Sequence, residues 1–223
     1  MLVKAEDYKI QNRTPFIVID GVNGAGKSTL QRKIAQCLSE LGIKNITTRE
    51  PGATELGKEI RPLLLSSRPE KMNQLSELFL FAADRAEHVD KVITPTLKSG
   101  VAVISDRYYY STIAFQGYGR GINRNIVEAI NTIAIAGQLP DLLIILDLDP
   151  IDGIKRNKAT VEKSSQSEGD KFEDEEVAFQ YRLRTGFLEL AKRVKEPAVI
   201  IDANRSPEEV YASVQQIFER SFK

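Results

Sequence analysis

One stretch near the start of the chain has the residue types and spacing to hold phosphate: Gly21-Val22-Asn23-Gly24-Ala25-Gly26-Lys27-Ser28. An apolar run, Phe16-Ile17-Val18-Ile19, precedes it and a helical pattern follows, so the order is strand, glycine loop, helix with G-x-x-x-x-G-K-[ST] spacing. Gly21, Gly24 and Gly26 let the backbone turn and expose successive N–H groups as an anion-binding nest. The helix that begins near Lys27 adds its positive dipole end at the same spot. Lys27 then reaches β- and γ-phosphates, and the Ser28 hydroxyl takes a Mg²⁺ position. The competing reading is a glycine-rich turn that merely joins strand to helix; the full spacing and both flanks argue against it.

Four further groups carry possible chemistry. Asp106-Arg107-Tyr108 directly follows the apolar run Val101-Ala102-Val103-Ile104. A carboxylate there completes a Mg²⁺ site with Ser28, and Arg107 offers a planar fork suited to bidentate phosphate contact. A salt-bridged pair that caps the strand is the alternative. Phe81 and Arg85 stand four apart, on one face of a long helix. A ring beside a guanidinium suits a nucleobase, although aromatic residues at helical spacing mostly pack in a core. Arg49-Glu50-Pro51-Gly52 ends a strand and sets Arg49 at the same edge, where a charged residue is commonly just solvated. Lys155, Arg156, Lys158 and Lys171 lie in a polar run that either closes over a triphosphate or remains a solvated loop.

The elements that must position these groups are legible as an alternation. Strands are predicted at Phe16–Ile19, Ile43–Thr48, Val101–Ile104, Leu142–Leu146 and Ala198–Ile201. Helices are predicted over Lys27–Leu41, Thr54–Leu65, Asn73–Lys98, Arg124–Ala136, about 174–193 and about 207–221. Residues 107–121 read as a tyrosine- and glycine-rich loop, Lys155–Lys171 as a mobile surface loop, and 1–14 as an irregular extension. The alternation predicts an α/β class, with a parallel sheet covered by helices on both faces and ligands at the carboxyl ends of the strands.

Length and composition narrow the classes. The 223 residues suit one domain. Lysine plus arginine equals aspartate plus glutamate, 31 each, so no overall field favours nucleic acid or an anionic membrane. Cys37 and His88 are the single cysteine and histidine, which excludes an intramolecular disulfide and a Cys/His zinc cluster. Cys37 lies on the apolar face of the first helix and reads as packing; His88 reads as solvent-facing or ordinary, without a role. The opening residues lack the apolar core of a leader, and no run suits a bilayer; the expectation is a cytoplasmic protein.

In sequence, these stretches resemble the thymidylate kinases of the P-loop nucleoside monophosphate kinase family. The resemblance spans Phe16 to Ile217. Its carriers are Asp-Gly-Val-Asn-Gly-Ala-Gly-Lys-Ser-Thr (20–29), Thr-Arg-Glu-Pro-Gly-Ala-Thr (48–54), Leu-Phe-Ala-Ala-Asp-Arg (80–85), Asp-Arg-Tyr-Tyr-Tyr-Ser-Thr-Ile-Ala-Phe-Gln-Gly (106–117) and Pro-Asp-Leu-Leu-Ile-Ile-Leu-Asp (140–147). It implies a three-layer fold around a five-stranded parallel sheet, in a single domain over 15–223 with a lid at about 155–172. It implies ATP and Mg²⁺, dTMP as acceptor, and a homodimer. Gly21, Val22, Asn23, Gly24, Ala25, Gly26, Lys27, Ser28 and Thr29 would wrap ATP, with Ser28 and Asp106 on the metal. Phe81 would stack on thymine and Arg85 donate to its O4. Arg49 and Arg107 would hold the dTMP phosphate. Ser111, Thr112 or Gln116 would face the base edge and sugar, and Phe115 would crowd the 2′ position.

The chain departs from the family pattern at four places. Asn23 stands where a carboxylate usually contacts the sugar 3′-hydroxyl. Gly24 replaces an arginine, which assigns the catalytic cation to the lid, as in the bacterial-type branch. The lid carries Gly169-Asp170-Lys171-Phe172-Glu173 in place of Asp-Arg-x-Glu, so Lys171 or Arg156 takes the arginine's part. Ala53 replaces a second glycine. The rival readings are a kinase of another monophosphate or of a free nucleoside, a GTP-dependent switch, and a non-catalytic nucleotide-binding regulator. Asn157-Lys158-Ala159-Thr160 lacks the aspartate that would read guanine, which leaves the switch unsupported.

Overall fold

The computed structural model describes residues 2–67, 69–163, 171–172 and 175–222. Five strands, β1 (Phe16–Gly21), β2 (Asn45–Arg49), β3 (Ala102–Asp106), β4 (Leu142–Asp147) and β5 (Ala198–Asp202), form one parallel sheet in the order β2-β3-β1-β4-β5. The three inner strands are continuous apolar runs buried on both faces, as a covered parallel sheet requires. The edge strand β2, Asn-Ile-Thr-Thr-Arg, is mixed and only partly covered.

Nine α-helical segments connect and cover the strands: α1 (Lys27–Glu40), α2 (Glu55–Leu65), α3 (Gln74–His88), α4 (Thr94–Lys98), α5 (Tyr109–Thr112), α6 (Arg124–Ile135), α7 (Pro150–Lys163), α8 (Val177–Arg193) and α9 (Pro207–Phe222), counted among the described residues. Helix α1 buries Leu30, Ile34, Cys37 and Leu38 at helical spacing and packs on α9. Gln31, on the same helix, donates to the carbonyls of Thr48 at 2.7 Å and Ile104 at 2.8 Å, which ties α1 to both β2 and β3. Helix α8 lies against β4 and β5 and against the segment after α5.

The expected long helix is one rod with a local change of winding. A π-helical turn, Val89–Ile93, separates α3 from α4. Pro95, which has no N–H to give to the preceding turn, stands two residues beyond this widened stretch, after Thr94.

Three sequence expectations need correction. Residues 107–121 are not a loop: α5 runs into a π-helical stretch, Ile113–Gly119. Tyrosines, β-branched residues and glycines are poor helix formers, and packing overrides them. Tyr108 and Tyr110 are fully buried, and the Tyr108 ring meets Phe16 edge-on at 5.1 Å. The polar run from Lys155 is helical through Lys163 as the continuation of α7. Residues 164–170 of that run lie outside the described residues. Finally, His88 is fully buried rather than solvent-facing. The irregular extension is docked: Val3 N donates to Ala198 O at 2.8 Å, and Ile10 is buried in the core.

Candidate active site

Strand register brings the separated motifs to one edge. Ile19 pairs with Asp106 and Arg49 pairs with Asp106, so the loop after β1, the end of β2 and the end of β3 meet at the carboxyl side of the sheet. Here the chain passes from one side of β1 to the other, which is where open α/β sheets form their ligand crevices. A cavity of about 460 Å³ lies at this edge.

The glycine loop forms its floor. Lys27 folds back over the loop, with Nζ donating to the carbonyls of Val22 at 2.9 Å and Gly21 at 3.3 Å. Ser28 Oγ donates to Asp106 Oδ2 at 2.8 Å. Hydroxyl and carboxylate oxygens this close are the hard donors that Mg²⁺ prefers. Among the described residues no cluster of three His, Cys, Asp or Glu side chains could hold a metal by itself. Phosphate oxygens and water would have to supply the remaining ligands. Gly24 has φ 76° and lies so close to α7 that a Cβ would meet the Gly153 carbonyl oxygen at 2.2 Å. Thr29 also lines the cavity, and Val22 and Ala25 are buried beneath it.

Arg107 sits in the left-handed region, φ 73°, which costs a non-glycine residue about 1–2 kcal/mol. Its Nη1 donates to Ser111 Oγ at 2.9 Å, Gly21 O at 3.1 Å and Asp20 Oδ1 at 3.2 Å, and its Nη2 donates to Asn23 Oδ1. The guanidinium is therefore held against the glycine loop and lies 5.3 Å from the Phe115 ring centre. Asp20 is fully buried; burial raises its pKa, opposed by Arg107, Ser111, Lys27 and the Gly21 amide.

Arg49, Phe81, Ser111, Phe115, Gln116 and Arg156 line the same cavity. Arg156 reaches it from α7 while donating to Ala203 O at 2.8 Å. Arg85 and Thr112 stand behind the lining. Arg85, at 1% exposure, gives Nε to Glu50 Oε2 at 2.9 Å, with Nη2 ion-paired to the same oxygen at 2.7 Å, and gives Nη1 to Thr112 Oγ1 and Asn131 Oδ1 at 2.9 and 2.7 Å. These bonds use three of the five guanidinium hydrogens and leave the two on Nη2 outside any hydrogen bond. Glu50 also accepts His88 Nδ1 at 2.9 Å, while His88 Nε2 meets Thr48 Oγ1 at 2.7 Å. The histidine thus braces the carboxylate that holds Arg85.

Lys171 is not in the phosphate cavity. Its Nζ sits on Glu77 Oε2 at 2.7 Å in a neighbouring cavity of about 390 Å³, and its backbone N–H donates to Leu65 O at 2.9 Å. Gly169, Asp170 and Glu173 of the lid motif, and the side chain of Lys158, lie outside the described residues.

Several lining residues were not singled out from sequence: Glu50, Arg61, Leu65, Asn157 and Phe172. Phe172 is almost fully buried and packs on Phe115 at 5.1 Å and Phe81 at 6.2 Å, so three rings share one wall. Arg61 donates to Pro51 O at 2.6 Å and brings α2 to the loop after β2. The need of Arg85 for a carboxylate partner was a usable signal for Glu50. Nothing in the spacing could have indicated Phe172.

Lys27, Arg49, Arg61, Arg107 and Arg156 face only Glu50 and Asp106 among the charged lining residues. Such an excess, with an aromatic wall beside it, suits a polyanion attached to a planar group. The thymidylate kinase family model matches residues 19–214. The chain belongs to the thymidylate kinase family. It is 39% identical to a thymidylate kinase of Maridesulfovibrio salexigens over 92% of this chain and 95% of the relative. It is 42% identical to a thymidylate kinase of Carboxydothermus hydrogenoformans over 93% of this chain and 98% of the relative. Among solved structures, the thymidylate kinase of Ehrlichia chaffeensis superposes with a TM-score of 0.73 at 32% identity, covering 91% of this chain and 97% of that one. The five-stranded parallel architecture is therefore the thymidylate kinase architecture, and no described helix is long and apolar enough to cross a membrane.

Proposed function

We propose that this thymidylate kinase family member transfers the γ-phosphoryl group of ATP to dTMP, giving ADP and dTDP. An oxygen of the dTMP phosphate attacks the γ-phosphorus as the bond to the β–γ bridging oxygen breaks. That nucleophile is ionised near neutral pH, so the step needs no general base. Positioning and charge stabilisation carry the catalysis.

The convergence of Lys27, Arg49, Arg107 and Arg156 on one cavity is the observation that supports this reading. Lys27 and the loop from Gly21 to Thr29 hold the ATP phosphates. Arg49 and Arg107 hold the acceptor phosphate, and two guanidinium forks favour a phosphorylated acceptor over a free nucleoside. Phe81 stacks on the base, an Nη2 hydrogen of Arg85 serves its carbonyl oxygen, and Phe115 crowds the 2′ position. Ser28 and Asp106 would hold Mg²⁺, which would supply neutralising charge at the phosphates. Arg156 is the better placed lid cation, because Lys171 is engaged by Glu77. Residues 15–223 form the kinase domain, which we place in the cytoplasm.

A homodimer accompanies this reading. Leu75 and Phe79 on α3 and Ile126 and Ile133 on the adjoining α6 are exposed apolar residues, Phe79 at 57% and Ile133 at 81%. They offer a surface for a second copy.

ATP consumption with dTMP, dUMP, dCMP, UMP and thymidine, each with and without Mg²⁺, tests the activity. Turnover of dTMP that requires Mg²⁺ is expected. Turnover of thymidine but not dTMP would reject the reading, and ATP binding without turnover of any acceptor would favour a regulator.

A further inference from the structure

A buried polar atom in the wall of the main cavity has no partner. Gln116 is fully buried and lines that cavity, and its Oε1 accepts no hydrogen bond. Its Nε2 donates to Glu77 Oε1 at 2.9 Å. Glu77 lines the neighbouring cavity, so the amide of Gln116 spans the partition between the two.

Glu77 can dictate which end of the amide faces which way. The carboxylate lies on α3 at 2% exposure. It takes Arg120 Nε at 3.2 Å on Oε1, and Lys171 Nζ at 2.7 Å and Arg120 Nη2 at 3.4 Å on Oε2. Burial pushes its pKa up, but the bonds from Arg120, Lys171 and Gln116 and the charge of Arg120 outweigh burial and hold it below the usual value. An ionised carboxylate accepts and cannot donate. The Gln116 NH₂ group must therefore turn to Glu77, which leaves the carbonyl oxygen, still without a partner, at the other end of the amide. A glutamine with a neutral neighbour could flip end for end; this one cannot without setting oxygen against oxygen.

We infer that Glu77 is a positioning residue for acceptor selection: it fixes Gln116 Oε1 as an acceptor for the ring N3–H of a thymine or uracil base. Cytosine has a lone pair at that nitrogen, and two acceptors would then face each other without a proton. The device separates dTMP and dUMP from dCMP and does nothing to separate dTMP from dUMP. It rests on the acceptor reading above.

The test measures kcat/KM for dTMP, dUMP and dCMP in the wild type, Glu77→Gln, Glu77→Met, Gln116→Met and the double variant Glu77→Gln/Gln116→Met. Wild-type failure on all three acceptors would defeat the acceptor reading itself. With dTMP turned over, either change at Glu77 is expected to lower the dTMP-to-dCMP ratio about tenfold or more, mainly through KM. Any effect on Lys171 or on folding acts on every acceptor alike and cancels in that ratio. In the Gln116→Met background, Glu77→Gln should lower the ratio no further. An unchanged ratio in whichever Glu77 variants fold, or an equal loss in both backgrounds, would overturn the inference.

Discussion

The side-chain oxygen of Asn23 accepts a hydrogen bond from Arg107 Nη2, which joins the loop after the first strand to the arginine after the third. Asn23 was expected to face the acceptor sugar. Its place against the guanidinium makes it a holder of Arg107 as well. Asn23→Ala should release one side of the fork and raise the KM for dTMP about tenfold, equivalent to ~1.4 kcal/mol, with a smaller effect on the KM for ATP. Steady-state kinetics with each substrate varied in turn would show it; equal effects on both would place Asn23 on ATP instead.

Arg156 and Lys171 make opposite predictions for the catalytic cation. Arg156 lines the phosphate cavity, whereas Lys171 is ion-paired to Glu77 beside it. Arg156→Met should lower kcat by roughly 10²-fold, the scale of a lost charge stabiliser. Lys171→Met should cost less. Single-turnover rates at saturating ATP decide between them, and the reverse order would mean that Lys171 leaves Glu77 during turnover.

Backbone meets backbone at Gly24 and Gly153. A Cβ on Gly153 would lie 2.5 Å from the Asn23 carbonyl oxygen. Gly153→Ala has no unfavourable φ of its own to satisfy, so displacement of α7 from the glycine loop is set only against the roughly 1 kcal/mol that alanine gains over glycine within a helix. Thermal melting should drop by the equivalent of about 1–3 kcal/mol, the usual cost of overpacking, and the KM for ATP should rise. An unchanged KM would show that α7 can shift without moving Arg156.

Asp84 gives the protein a pH dependence of known sign. It is 1% exposed, and burial together with the Glu50 charge raises its pKa to about 6, against the Gly52 amide, Arg85 and His88. An unfolded aspartate titrates near ~3.9, so between about pH 4 and 6 the folded state holds the extra proton. Stability from this group is complete below pH ~4 and is lost as pH rises through about 6. The loss is at most ~3 kcal/mol. Asp84→Asn keeps an oxygen for Gly52 N, 2.9 Å away in the native protein, and removes the titration. Denaturant unfolding at pH 4.5 and 7.5 should show the variant gaining on the wild type at the higher pH; a difference independent of pH would refute the assignment.

The proposed dimer is open to a direct test. Phe79→Glu and Ile133→Glu change exposed residues outside the cavity lining. Each should convert a dimer into a monomer by sedimentation velocity. A monomeric wild type would end the proposal.

Much of this protein was determined locally and could be read without coordinates. Strand β1, the glycine loop and α1 follow one another within a few residues, so the spacing of Gly21, Gly24, Gly26, Lys27 and Ser28 already implied their geometry. Continuous apolar runs marked β3 and β4 as buried parallel strands, and apolar periodicity marked most helices. The tyrosine-rich segment after β3 escaped because its helix is held by the burial of Tyr108 and Tyr110, not by propensity. Side-chain partners across the sheet edge escaped for another reason. That Arg85 is held by Glu50, Thr112 and Asn131, that His88 braces Glu50, and that Lys171 sits on Glu77 depend on residues up to 94 positions apart. Burial makes each charged group take a partner, but only strand register and helix packing decide which partner is within reach.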